Sequence, residues 1–141
     1  MKKNKVKFPK KKVKSKSYWK GKAWAMFSKY IRSSRDSGDG IIACYTCGNL
    51  DHWKRLQTGH GIEGRNNAVL FMEEVCRPQC VQCNIFKHGN LRIFTLKLIE
   101  ELGYSKYIEL MDKSNNIVQY KVADYQEIYS KYQEKLTLLW I

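Results

Sequence analysis

The sequence predicts a small α+β domain in which two strands and a helix, stapled by cysteines, are flanked by an N-terminal amphipathic helix and by further helices at the C-terminal end. Three observations carry that prediction. The chain has 141 residues, the size of one domain. Its apolar residues recur at helical spacing towards both ends and fall into short strand-like runs in the middle. Four of its five cysteines form two pairs, Cys44 with Cys47 and Cys80 with Cys83, each pair enclosing two residues. With 43% apolar and 13% aromatic residues the chain can build a core, which excludes disorder along most of its length.

The first 16 residues, MKKNKVKFPKKKVKSK, hold nine lysines and show no sustained periodicity. They predict a flexible basic arm at 1–16 ahead of a single domain at 17–141. The charge is one-sided: of the net +13, residues 1–35 carry twelve Lys, two Arg and no acid, while residues 36–141 hold 12 basic and 13 acidic side chains. A dense cation run on a nearly neutral body is the footprint of nucleic-acid binding, and Lys10, Lys11, Lys12, Lys14 and Lys16 are its candidate DNA contacts. A solubilising tail or a nuclear localisation signal would have the same composition. No apolar run approaches the roughly 18 residues that span a bilayer, and the basic start lacks the apolar segment of a signal peptide. An intracellular protein with no membrane partner is expected.

Along the chain, Ala23, Met26, Phe27, Tyr30 and Ile31 recur at three and four residues and predict an amphipathic helix over 17–36, ended by the turn residues Asp36-Ser37-Gly38-Asp39-Gly40. The core is expected at 37–103. A polar stretch from Gly48 to Arg55 leads to a strand within Leu56–Ile62, and a loop rich in Gly and Asn leads to a second strand at Ala68-Val69-Leu70-Phe71-Met72, paired with the first as a hairpin. The second cysteine pair opens a helix in which Leu91, Phe94, Leu98 and Leu102 form one stripe before Gly103 stops it. The rest, 104–141, reads as helical. Ser105 is the expected cap for Tyr107–Met111, and a turn follows at Lys113-Ser114-Asn115-Asn116. Asp124 and Glu127 fit a capping box for a last helix with Tyr125, Ile128, Tyr129, Tyr132, Leu136 and Leu139 on one face.

An odd number of cysteines in a reducing compartment argues against disulfides. Two intervening residues let both sulfurs of a pair converge at about 2.3 Å from one ion, so Cys44, Cys47, Cys80 and Cys83 predict a closed four-thiolate zinc site. Cys76 is left over as a buried, inert thiol. Between the pairs lies His60 on the first strand, and Asn84 directly follows the last cysteine. A zinc-stapled ββα unit with a strand His facing an Asn at the helix start is the layout of a ββα-metal nuclease. A neutral imidazole takes a proton from water near pH 7, and a divalent cation beside it neutralises charge growing on the scissile phosphate. Gly59 and Gly61 would let that phosphate approach closely.

Several runs in order then resemble one family. Ala25-Met26-Phe27-Ser28-Lys29-Tyr30-Ile31-Arg32, Cys44-Tyr45-Thr46-Cys47-Gly48, Thr58-Gly59-His60-Gly61, Gly64-Arg65-Asn66-Asn67-Ala68-Val69-Leu70-Phe71, and Gln79-Cys80-Val81-Gln82-Cys83-Asn84 through His88-Gly89-Asn90 are similar to the NinG (Rap) family of lambdoid phage recombination proteins. More remotely they resemble HNH and endonuclease VII junction-cleaving enzymes. The resemblance implies a phage-encoded, metal-dependent endonuclease that acts in the cytoplasm of the bacterial host on branched DNA, including Holliday junctions, together with other recombination proteins. It implies His60 as general base, the four paired cysteines as zinc ligands, and Asn84 as a ligand of catalytic Mg²⁺ or Mn²⁺. His88, four residues on and on the same face of a helix, is a second candidate ligand, and Arg65 a candidate phosphate contact. There are departures: Gly59 stands where many HNH proteins carry Asp or His, and Val75 where many carry an Asn that braces the His loop, so that either Glu74 or Asn67 takes over the bracing or activity is reduced. The competing expectation is a non-catalytic zinc ribbon that binds DNA or bridges recombination proteins. The apolar face of the last helix is either core cover or the seam of a homodimer.

Overall fold

The structure, a computed structural model, describes residues 9–64 and 66–139. Residues 9–15 have no regular structure and leave Lys10, Lys11, Lys12 and Lys14 exposed; the remainder of the arm, residues 1–8, lies outside the described residues. Ser15 caps α1 (Lys16–Ser33), its hydroxyl accepting from the Tyr18 amide at 3.2 Å. The helix buries Ala23, Phe27 and Ile31, with Met26 and Tyr30 partly covered, which is the face its spacing predicts.

Two small antiparallel sheets follow. The first, β1 (Ile41–Ala43) with β2 (Leu50–His52), pairs Ile41 with His52 and Ala43 with Leu50 and carries the first cysteine pair in its connection. Three-residue strands are too short to leave a periodic signature, and β2 lies inside the stretch from Gly48 to Arg55 that reads as polar. The second is β3 (Gln57–His60) with β4 (Cys76–Gln79), Gln57 opposite Gln79 and His60 opposite Cys76. The strand expected at 68–72 is not the partner. Asn66 accepts from the Ala68 amide at 3.0 Å and starts a one-turn helix, α2 (Asn67–Leu70), which buries Val69 and Leu70. An apolar run of five residues fits a buried helical turn as well as a strand, and the Asn cap decides it. The real partner reads Cys-Arg-Pro-Gln, a sequence that a two-stranded ribbon accepts because neither strand is central.

The second cysteine pair does not open the long helix either. Gln82–Phe86 forms a single π-helical turn, His88, Gly89 and Asn90 then take positive φ (50°, 88° and 46°), and α3 (Leu91–Leu102) begins after them. Phe94 and Leu98 are its buried stripe, and Gly103 at φ 86° ends it as expected. In α4 (Tyr104–Ser114) Ser105 sits inside the first turn rather than at the cap. In α5 (Val122–Leu139) Asp124 accepts from the Lys121 amide at 2.7 Å, so the box begins at Lys121 and not at Asp124. Tyr125, Tyr132 and Leu136 of its predicted face are buried within the chain and Leu139 is exposed. Among the described residues no helix is long and apolar enough to cross a membrane.

The β3–β4 ribbon is held between helices. On one face Thr58 meets Ser28 of α1, hydroxyl to hydroxyl at 2.8 Å, and Cys76 joins the core built by Phe27, Ile31, Val69, Phe94, Leu98 and Tyr132. On the other face Arg77 pairs with Glu101 of α3 at 3.1 Å. Partial burial pushes the Glu101 carboxyl up, but the Tyr45 hydroxyl (2.6 Å) and Arg77 outweigh it and hold it below the usual carboxylate range. The two glycines that flank His60 serve this packing. A side chain at Gly59 would overlap Gln79, and one at Gly61 would overlap Phe94 and Leu98. They make room for the protein's own residues, not for a phosphate.

Phe94 and Leu98 are fully buried and cannot move aside, so Gly61→Ala should destabilise by about 1–3 kcal/mol, the usual cost of overpacking. Urea unfolding checks this; a midpoint equal to wild type would mean that the core yields freely.

Candidate functional site

Cys44, Cys47, Cys80 and Cys83 come together although the second pair starts 36 positions after the first. Their sulfurs all lie within 4.8 Å of one another. A tetrahedral ion with about 2.3 Å bonds places its sulfurs about 3.8 Å apart, and Cys47 Sγ stands 3.7 Å from Cys80 Sγ. Donors surround the sulfurs: the Cys83 amide reaches Cys80 Sγ at 3.4 Å and Asn90 Nδ2 reaches Cys83 Sγ at 3.7 Å. Burial raises the Cys44 thiol, yet amide donors from Cys47 and Cys80 and the Thr46 hydroxyl outweigh it and bring it down to about 6. Cys80 is pushed up to about 12, first by burial and then by the neighbouring cysteines. Cys44 ionises readily here, and Cys80 resists it. The four residues fit a metal ion such as zinc.

His60 is the last residue of β3 and half-buried. Its ring stacks on Trp24 of α1 with centroids 5.7 Å apart and planes 16° apart. Its Nε2 is 3.1 Å from the Leu70 carbonyl oxygen; a carbonyl only accepts, so Nε2 donates. Asn84 lies on the π-helical turn, and its Nδ2 donates to Gln57 Oε1 at 2.8 Å. Gln57 and His60 differ by three positions on one strand and therefore point to opposite faces, so the Asn84 amide meets the strand of His60 rather than its ring. His88 is exposed on the turn before α3 at φ 50°, and the shared helix face that would join it to Asn84 does not exist. Lys16 opens α1, and Arg65 lies outside the described residues. Val75 is fully buried in the core, Glu74 is exposed, and Asn67 donates its amide to the Val118 carbonyl at 3.0 Å.

An open cleft of about 390 Å³ is lined by Trp24, Ser28, Arg32, Leu56, Gln57, Thr58, Asn84 and Ile85. Trp24 and Ile85 supply apolar wall, and the Asn84–Gln57 pair retains an acceptor at Asn84 Oδ1 and donors at Gln57 Nε2. No carboxylate lines it. A Mg²⁺-type ion commonly takes one or two carboxylates, so this cleft, whose side-chain oxygens are all neutral, offers it a poor ligand set. Trp24, Gln57 and the Leu70 carbonyl are the site groups that reading the sequence missed. Trp24 sits beside the apolar face of α1 in the helical pattern, a weak signal; a backbone carbonyl leaves none.

Cys80→Ser should drop bound zinc well below one ion per chain and reduce far-UV ellipticity, because strands of three and four residues need the staple. Cys76→Ala should keep the ion. Atomic absorption and circular dichroism measure both, and unchanged zinc in Cys80→Ser would overturn the four-cysteine assignment.

Known proteins give this geometry its context. No solved structure matches the chain. It is 30% identical over 135 residues to Protein ninG of Escherichia phage 933W, covering 95% of this chain and 64% of that protein. To Protein ninG of Escherichia phage lambda it is 28% identical over 134 residues, covering 94% and 63%. Protein ninG of Salmonella phage P22 is 29% identical, again over 94% and 63%. The chain thus spans a little under two thirds of the length of these relatives. Residues 1–140 match the family described as Bacteriophage Lambda NinG protein, and the chain belongs to that NinG family.

Proposed function

We propose that the protein is a metal-dependent, structure-selective DNA endonuclease of the ββα-metal, HNH-like kind, cutting branched recombination intermediates such as Holliday junctions. The observation that carries this reading is His60: the end residue of a two-stranded ribbon beside a four-cysteine site, its ring clamped between Trp24 and the Leu70 carbonyl. With Nε2–H donated to Leu70, Nδ1 is the basic nitrogen of the tautomer. Fixed in this way, the imidazole takes a proton from water as a phosphodiester is attacked. Cys44, Cys47, Cys80 and Cys83 would hold zinc, which would fix the ribbon and the Asn84 turn in place. Asn84 would be the side chain that holds a divalent cation, and the chemistry such an ion would supply is neutralisation of charge on the scissile phosphate. The lysine arm and α1 supply sequence-independent attraction to DNA, in the host cytoplasm and beside other phage recombination proteins.

Two observations favour a second reading, a non-catalytic zinc-ribbon DNA-binding or adaptor protein. The cleft beside Asn84 has no carboxylate, and the side-chain space at Gly59, where many HNH proteins carry an acidic or imidazole ligand, is filled by Gln79. Incubating branched DNA with the protein and Mg²⁺ or Mn²⁺ separates the two: the nuclease cuts, and the adaptor only shifts the DNA on a gel.

His60→Ala should slow cutting by about 100-fold or more while binding stays within a few fold, since a general base acts on the transition state. Asn84→Ala should behave alike, with partial rescue by raised Mn²⁺. Quantified gels measure both, and equal cutting by wild type and His60→Ala would sink the proposed role. Deleting residues 2–16 should weaken DNA binding and flatten its salt dependence with the metal site intact. Equal slopes of log affinity against log salt for the two proteins would refute the role of the arm.

A further inference from the structure

Three large apolar side chains stand in solvent beside the candidate site. Phe86 is 68% exposed, Ile85 52% and Val81 40%, all on or next to the turn that carries Cys83 and Asn84. That turn is braced. The amides of Asn84, Lys87 and Gly89 donate to the carbonyls of Cys80, Gln82 and Cys83, each at 2.9 Å, and Asn84 Nδ2 ties the turn to β3. Apolar groups clustered on the surface of a rigid turn mark a contact surface, because the turn cannot fold them inward.

The charge around them says what they meet. Residues 78–99 carry Lys87, Arg92 and Lys97 and no acid, and the cleft that Ile85 walls holds Arg32 and no carboxylate. A partner that is anionic and yet offers flat apolar faces matches both features, and nucleic acid has that chemistry. In an intact duplex the base faces are covered by stacking; at a branch point or an unpaired stretch they are open.

We propose that Phe86, with Ile85 and Val81 beside it, stacks on an unpaired or unstacked base where DNA branches, so that this turn senses DNA structure rather than sequence. The inference rests on the reading of the site as one that acts on DNA and names the feature recognised.

Fluorescence anisotropy on the zinc-loaded full chain, without Mg²⁺ or Mn²⁺, tests it with Y-shaped DNA bearing unpaired arms and a fully paired duplex. Wild type should prefer the Y form. Phe86→Ser should lose about tenfold of that preference, the size of one aromatic–base stack, with duplex affinity within about twofold. Phe86→Trp, which keeps a stacking face, should retain the preference. If Phe86→Ser fails to hold zinc, Phe86→Leu replaces it, with the same expected loss. A Phe86→Ser protein that discriminates like wild type overturns the proposal, even if both cut DNA. So does one whose DNA binding is unchanged while self-association is lost in sedimentation, which would make the turn a protein contact. Wild type that cuts branched DNA yet binds both forms equally overturns the wedge alone; wild type that binds neither overturns the DNA reading with it.

Discussion

Four sulfur atoms within 4.8 Å of one another join two separate pieces of chain: the connection between β1 and β2, and the run from the residue after β4 into the π-helical turn before α3. Four thiolates that close repel strongly, so the arrangement is stable as a charged set only around a cation. Much else is positioned by it. Cys80 comes one residue after Gln79, the end of β4, so gripping Cys80 sets where β4 stops and thereby the register that puts His60 opposite Cys76. The Tyr45 amide donates to the Pro78 carbonyl at 2.8 Å, which seats the first cysteine pair along the ribbon. Neither two-stranded sheet could stand alone in water.

The opposite face of the ribbon depends on α1. Its Ser28 meets Thr58, its Phe27 fills the core, and its Trp24 stacks on His60. The helix begins at Lys16, directly after the described lysines, and Trp24 lies eight residues on, about 12 Å along the axis at 1.5 Å per residue. The cationic entry to the domain and the aromatic platform under the histidine are therefore parts of one rigid element. α1 also packs along α5, so the C-terminal half of the chain steadies the ring of His60 through two helices although it supplies no group to the cleft.

What was legible in the sequence follows from how local each signal is. The face of α1, the stripe Phe94–Leu98 and the stop at Gly103 are set by neighbours within a turn or two, and the structure has them where the spacing puts them. The cysteine pairs were legible because thiolate geometry imposes a spacing. The partner of β3 was not, because Cys-Arg-Pro-Gln lacks any strand pattern and pairs only when Cys80 is gripped and α1 covers Cys76. The same holds for His88, which a continuous helix would set beside Asn84 but which positive φ turns away. The glycines around His60 misled for a related reason: a missing side chain shows that something comes close without saying what, and here it is Gln79, Phe94 and Leu98.

Gln79 ties these strands of the argument together. It is fully buried, and its Nε2 donates both to Thr46 Oγ1 at 3.0 Å and to the Gly89 carbonyl at 2.8 Å, joining the two cysteine-bearing segments through one amide. Its Oε1 rests where a side chain at Gly59 would be and finds no hydrogen-bond partner among the described residues. An unpaired buried acceptor costs about 1–3 kcal/mol. A carboxylate at position 59 would have to displace Gln79. The neutral amide instead closes the ribbon against the cysteine site and leaves His60 as the one titratable side chain of β3. The tautomer of that imidazole is set by the Leu70 carbonyl, and its plane by Trp24.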